Sequence, residues 1–258
     1  MTAAAVVTSR FEMGRVVSRT FGVIGRNFVA FLLLALVLAG IPEAITRYFT
    51  QSQGAASFSL TRSLLSFAFS VVGFMALSVL QAALVHGSIA DLNGKKASFG
   101  DCLATGMRFL WPVIGVSLLT GLAVGFGFIL LIVPGVLMGL AWCMSVPAVV
   151  VERKGVTEAF GRSADLTRGN RWAIFGLAVI YLLIVWIIDA VAIAVTGGLS
   201  FATLAQGQSG FNGVEWVLLT VLQVVQSLIG AAGLASIYFE LRSTKEGVGV
   251  ESLASVFD

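Results

Sequence analysis

Charge is what this chain has least of: 11% of its 258 residues are Asp, Glu, Lys or Arg, against roughly a quarter in an ordinary soluble domain. With 58% of residues hydrophobic, a soluble fold would lack the polar surface to wet it, which places the chain in lipid. Histidine occurs once, so no H-E-x-x-H zinc helix exists, and neither a G-x-S-x-G elbow nor a P-loop is present. Two cysteines, Cys102 and Cys143, lack metal-ligand spacing and neither require nor report an oxidising compartment. The stretches between apolar runs reach only about 27 residues, below the ~40 at which a domain can usually bury its own core. A catalytic site would therefore have to lie within the membrane, where Asp101 and Asp189 fall near opposite faces, too far apart to form a carboxylate pair. No enzymatic activity and no cofactor are expected. The net charge of +3 and the pI near 9.1 do not point to nucleic acid, because the positive charges stand beside apolar spans, where membrane orientation explains them.

What is present is organised around residues 109–151, a run with no Asp, Glu, Lys, Arg or His. As one helix it would be roughly twice as long as the ~30 Å hydrocarbon core, so it must cross twice. Pro134-Gly135 predicts the turn. Arg108 precedes the run and Arg153-Lys154 follow it, which puts both feet of the hairpin on one side. Gly121 with Gly125, and Gly135 with Gly139, give two G-x-x-x-G pairs through which the arms are expected to pack closely. The second arm, 136–151, spans only about 24 Å as a helix, so its tip is expected below the outer surface or in thinned bilayer.

Four further spans follow from the apolar runs 27–45, 63–90, 172–196 and 214–238. The polar or amphipathic residues before the first run exceed what a cleavable signal carries, so that run is expected to be a retained span. Within the second span, Ser63, Ser66, Ser70 and Gly73 form a small-residue stripe suited to a close helix neighbour. Three amphipathic segments precede pairs of spans. In 9–26, Val17, Phe21, Ile24 and Phe28 share one face and Arg15, Arg19 and Arg26 another, the pattern of a helix lying in the membrane interface. Ser9 with Glu12, Ser98 with Asp101, and Thr157 are the expected N-caps of the three segments; Asn93-Gly94 is an expected turn and Gly169 an expected C′ residue. Basic residues of the termini and of alternate loops fall on one side, with only Arg47 and Arg62 on the other, which predicts both termini in the cytoplasm with six spans between them.

An internal echo accompanies this order. Gly25-Arg26-Asn27-Phe28, Gly106-Met107-Arg108-Phe109 and Gly169-Asn170-Arg171-Trp172 each bring a glycine, a basic residue and an aromatic to a span entry. The chain reads as three copies of interfacial helix, span, span, over 9–90, 98–151 and 157–241, with a mobile cytoplasmic tail at 242–258. Chance likeness among span entries is the other reading. The fold class is all-α: a polytopic membrane protein of six spans and three interfacial helices.

Polar side chains inside spans are the candidate site. Asp189 lies about 10 Å below the outer end of its span; Gln223, Gln226 and Ser227 sit at similar depth on the sixth. Either Asp189 bonds one of these glutamines and fixes packing, or the group binds a ligand between the last two spans. His86, with Gln81 above it, either titrates near neutral pH or bonds a neighbouring helix. Glu43 and Arg47 are expected to pair at the outer rim. Two functions compete. In the first, a non-catalytic module organises lipid or partner proteins through its basic inner face, with Arg15, Arg19, Arg26, Arg108, Arg162, Arg168 and Arg171 contacting anionic headgroups. In the second, a small-solute permease uses Asp189, Gln223 and Gln226.

The motifs Ile132-Val133-Pro134-Gly135, Val146-Pro147, Val149-Val150-Val151-Glu152, Gly155, Glu158-Ala159 and the run from Ser163 to Trp172 resemble the bacterial family of glycerophosphoryl diester phosphodiesterase membrane domains over roughly residues 10–241. In some members of that family this domain precedes a catalytic barrel that uses metal-binding carboxylates and histidines. That barrel is not among these residues, so the resemblance implies a bacterial cytoplasmic membrane and no activity; stand-alone members have no assigned biochemical role.

Overall fold

The structure, a computed structural model, describes residues 11–51, 60–205 and 213–246, with side chains described except at 47–51, 62, 198–205 and 213–216. The Ser9 cap and residues 247–258 lie outside the described residues, and so does the Arg47 side chain expected to pair with Glu43. Among the described residues every regular element is helical. They are α1 (Met13–Arg26), α2 (Phe28–Ala35), a π-helical turn (Leu36–Gly40), α3 (Ile41–Gln51), α4 (Leu60–Leu92), α5 (Phe99–Arg108), α6 (Leu110–Leu130), α7 (Ile132–Trp142), α8 (Ser145–Glu152), α9 (Val156–Thr167), α10 (Arg171–Ala205) and α11 (Gly213–Glu246). Six segments are long and apolar enough to cross a membrane: Phe28–Thr46, Ser63–Leu92, Leu110–Leu130, Ile132–Glu152, Arg171–Gly197 and Val217–Glu246. The molecule is a multi-pass membrane protein.

Three of the spans form an inner group. α4, α8 and α11 pack on one another, burying Val85, Val149 and Tyr238 in one cluster. The other three spans sit outside: α2 with α3 in the groove between α4 and α11, α6 between α4 and the α7–α8 arm, and α10 between α11 and α7. Each of the short helices α1, α5 and α9 packs on a span. α5 lies on α4, α9 lies on α7 and α8, and α1 lies on α11. The two junctions from amphipathic helix to span at Asn27 and Phe109 adopt similar backbone angles, φ −112°, ψ 20° and φ −95°, ψ 10°.

Two spans are interrupted, both near a proline. Pro42 has no N–H for the Leu38 carbonyl, and the chain there widens into the π turn, in which Ile41 N–H bonds Leu36 O. Pro147 likewise cannot serve the Cys143 carbonyl, and the second hairpin arm breaks at Cys143-Met144 between α7 and α8. Helix α9 repairs that break. Ser163 Oγ donates to Ala141 O at 2.7 Å and accepts from Met144 N–H at 3.0 Å, so backbone groups freed at membrane depth find partners.

Several local expectations change. The hairpin turns at the single extended residue Leu131, φ −163° and ψ 149°, while Pro134 falls in the first turn of α7, where a missing N–H costs nothing. Gly121 and Gly125 have no neighbour within 4 Å of a built Cβ; of the two expected pairs only Gly135 makes a close approach, against Gly127, where an added Cβ would meet backbone at 2.7 Å. Gly73 of the small-residue stripe also faces open space. Helix α9 starts after Gly155, so Thr157 is inside it and caps nothing; the Ser98 side chain also makes no cap bond. Helix α10 continues through Ala205 and α11 through Glu246, beyond the expected ends of those spans and into the stretch expected to be a mobile tail. Gly94 and Gly169 do take the left-handed conformation, φ 75° and 89°, that a turn and a helix C′ position require.

Candidate functional site

The basic face is held by carboxylates at the ends of the inner spans. Glu240 on α11 is fully buried and is clamped from α1 by Arg19, through a hydrogen bond, and by Arg15 at 3.4 Å; Arg19 also stacks over Phe239. Glu152, closing α8, accepts from Arg162 Nε of α9 at 2.8 and 2.9 Å and from the Tyr238 hydroxyl at 2.6 Å. Arg162 bonds Glu246 as well, which Arg242 also holds. Burial opposes the Arg162 charge, and hydrogen bonds to Glu246 and Glu152 outweigh it, so its pKa lies above the usual guanidinium value. At the corner of α1 and α2, Arg26 and Asn27 both bond Asp91 of α4.

These contacts divide the seven arginines expected to touch lipid. Arg15, Arg19, Arg26 and Arg162 are occupied by carboxylates of the protein itself, a pairing invisible in the sequence because most partners lie 65 to 225 residues away. Arg108, Arg168 and Arg171 carry no ion pair among the described residues. Arg168 and Arg171 flank the turn into α10, and Lys245 of α11 lies within electrostatic reach of both. Lys245 bonds the Asp165 carbonyl, while Arg171 Nε is buried without a partner. Trp172 beside them is 84% exposed, and Trp111 beside Arg108 is 71% exposed, as residues of an interfacial aromatic belt are.

The intramembrane candidates fall into separate places. Asp189 accepts from Gln226 Nε2 at 2.7 Å, the pairing expected of a packing role. Gln226 also lines a cleft of about 240 Å³ between α4, α10 and α11, together with Gln81, Tyr181 and Ser227. Gln223 instead lines a second cleft, about 250 Å³, with Glu43, Thr46 and Ser70. Leu77 borders both. Neither cleft unites Asp189, Gln223 and Gln226. His86 is elsewhere, within reach of Asp101 on α5 and of Arg153 at the basic end. Tyr181 was absent from the sequence reading; it lies on α10 and packs where Gly230 leaves room on α11. Among the described residues no three His, Cys, Asp or Glu side chains converge on a metal position.

The profile of a family described as "Domain of unknown function (DUF7847)" matches residues 11–241. The chain belongs to that family. The DUF7847 match covers five spans whole, the sixth as far as Leu241, and the three short helices α1, α5 and α9. Over 91 residues the chain is 32% identical to a UPF0259 membrane protein of Pectobacterium carotovorum subsp. carotovorum (strain PC1), a region making up 35% of this chain and 36% of that relative. The chain thus spans about a third of the length of the curated relative it matches. No solved structure matches. These comparisons establish an uncharacterised membrane-protein family.

Proposed function

We propose that this DUF7847 member is a non-catalytic module of a bacterial cytoplasmic membrane that gathers anionic lipid on its basic face, both termini being cytoplasmic. One observation carries the reading: after the internal ion pairs are satisfied, Arg168, Arg171 and Lys245 remain together where α9, α10 and α11 meet beside exposed Trp172, unpaired among the described residues and with the Asp165 carboxylate alone in electrostatic reach of Lys245. Each cation near an anionic leaflet contributes about 1 kcal/mol, and Arg171 Nε has no hydrogen-bond partner among the described residues. The motif likeness to glycerophosphoryl diester phosphodiesterase membrane domains agrees with a module that works at phospholipid headgroups without chemistry of its own. The absence of zinc-helix, elbow and P-loop motifs supports the non-catalytic half.

The test is lipid selectivity of the whole protein. Reconstituted in mixed phosphatidylglycerol and phosphatidylcholine and released into native mass spectrometry, the protein should retain phosphatidylglycerol preferentially. Replacing Arg168, Arg171 and Lys245 together by Gln should lower that preference at least tenfold, from the electrostatic contribution of three cations. Equal retention of both lipids by the unaltered protein would remove the proposal's support.

A further inference from the structure

The cleft between α4, α10 and α11 does not belong to the basic face and offers different chemistry. Its polar lining is Gln81, Tyr181, Gln226 and Ser227, and its walls are Leu77, Leu80 and other apolar side chains. No basic residue lines it. Three of the four polar groups have a donor already engaged: Tyr181 Oη donates to Gln226 O at 3.3 Å, Ser227 Oγ to Val224 O at 2.9 Å, and Gln226 Nε2 to Asp189. Gln81 is different. Its half-buried amide makes no hydrogen bond to any described residue, although it sits about 16 Å from the Leu92 end of α4 along the helix.

A primary amide without partners at membrane depth is costly, because no bulk water is there to satisfy it. Such a group is retained where something else supplies the bonds. The cleft still offers both N–H donors and the oxygen of Gln81, with the Gln226 side-chain oxygen as a further acceptor. A phosphate-bearing head is excluded from this depth by its own hydration and by the lack of a cation to receive it. What fits is an uncharged head that both donates and accepts, on a chain that continues along leucine side chains. α4 and α10 make no substantial contact with each other, which leaves the cleft open on the side between them.

We propose that this cleft binds the polar end of a neutral, hydroxyl-bearing lipid of the diacylglycerol class, whose hydroxyl donates to the Gln226 side-chain oxygen while an ester carbonyl accepts from the Gln81 amide. The site is independent of the anionic-headgroup reading, since no residue is shared.

Photolabelling of the full-length protein in nanodiscs tests it. The probe is a diacylglycerol carrying a diazirine in its acyl chain, and cross-linked peptides are located by mass spectrometry. Labels should fall on the 77–84 and 226–231 segments. Gln81→Leu keeps the volume and removes the hydrogen bond to the ester carbonyl, and should cut labelling several-fold, up to about tenfold. The same variant should melt no lower than the parent without probe, since it relieves an unpartnered amide. Gln223→Leu, in the other cleft, should label as the parent does. Four results would overturn the proposal: no label on either segment, undiminished labelling of Gln81→Leu, equal labelling by a diazirine phosphatidylglycerol, or displacement of the probe by millimolar glycerol, which would mark a site for a free polyol.

Discussion

At the scale of single residues, the basic face is built by pairing long-range acids with helix-borne arginines. Glu240 is the clearest case: a fully buried carboxylate tolerable only because Arg15 and Arg19 reach it from α1. Charge counting along the chain treats those arginines as free, and nothing in residues 9–26 announces a partner more than two hundred positions later. Cys102 shows how burial acts on a titratable group of the interface. Burial on α5, with Asp101 adding to it, pushes its thiol up to about 11. The neutral thiol therefore favours the folded state fully below about pH 9, and that advantage is lost as the pH climbs through 9 towards 11. At pH 8 about one thiol in a thousand is ionised. Alkylation of Cys102 in the folded protein should accordingly be very slow at pH 8 and accelerate about tenfold per pH unit. Mass-spectrometric labelling at pH 8 as fast as a free cysteine would contradict the buried position.

At the scale of elements, the sequence located the helices and mistook how they meet. G-x-x-x-G spacing at Gly121 and Gly125 does promise a close contact, yet spacing says nothing about which azimuth of a helix its neighbour occupies. The tight approaches are at Gly135, the one glycine of the spaced pairs that takes part, where it meets Gly127, and at Gly106, where an added Cβ would lie 2.6 Å from the Val79 carbonyl oxygen of α4. Gly106→Ala should destabilise the protein by about 2 kcal/mol through overpacking. Gly121→Ala should be neutral or raise stability by up to about 1 kcal/mol through helix propensity. Unfolding by denaturant in mixed micelles compares the two, and an equal loss in both would restore the spacing-based picture. The breaks at Leu36–Gly40 and Cys143-Met144 follow from Pro42 and Pro147, residues visible from the start. That the second break is repaired by Ser163 was not visible, because the hydroxyl reaches it only once α9 folds back under the hairpin.

At the scale of the whole molecule, the chain forms three inner spans ringed by three outer ones, with the short helices α1, α5 and α9 laid on α11, α4 and the α7–α8 arm. Such a ring requires the amphipathic helices on one side and an even number of crossings between them. Single cysteines introduced at Lys96 and Lys154 in a cysteine-free background should both react with an impermeant maleimide from the same side of oriented vesicles, and one at Leu131 from the opposite side. Reaction of all three from one side would break the six-span architecture. The membrane class, the six apolar runs and the amphipathic character of three short helices came from the sequence alone, because hydrocarbon thickness and side-chain periodicity act on local stretches and leave their mark in consecutive residues. Only the tertiary structure decided which arginines remain free, where the helices touch, and that Gln226 and Gln223 face different clefts. Those outcomes depend on helix rotation and on partners far apart in the chain, and neither quantity is written into any local run of residues.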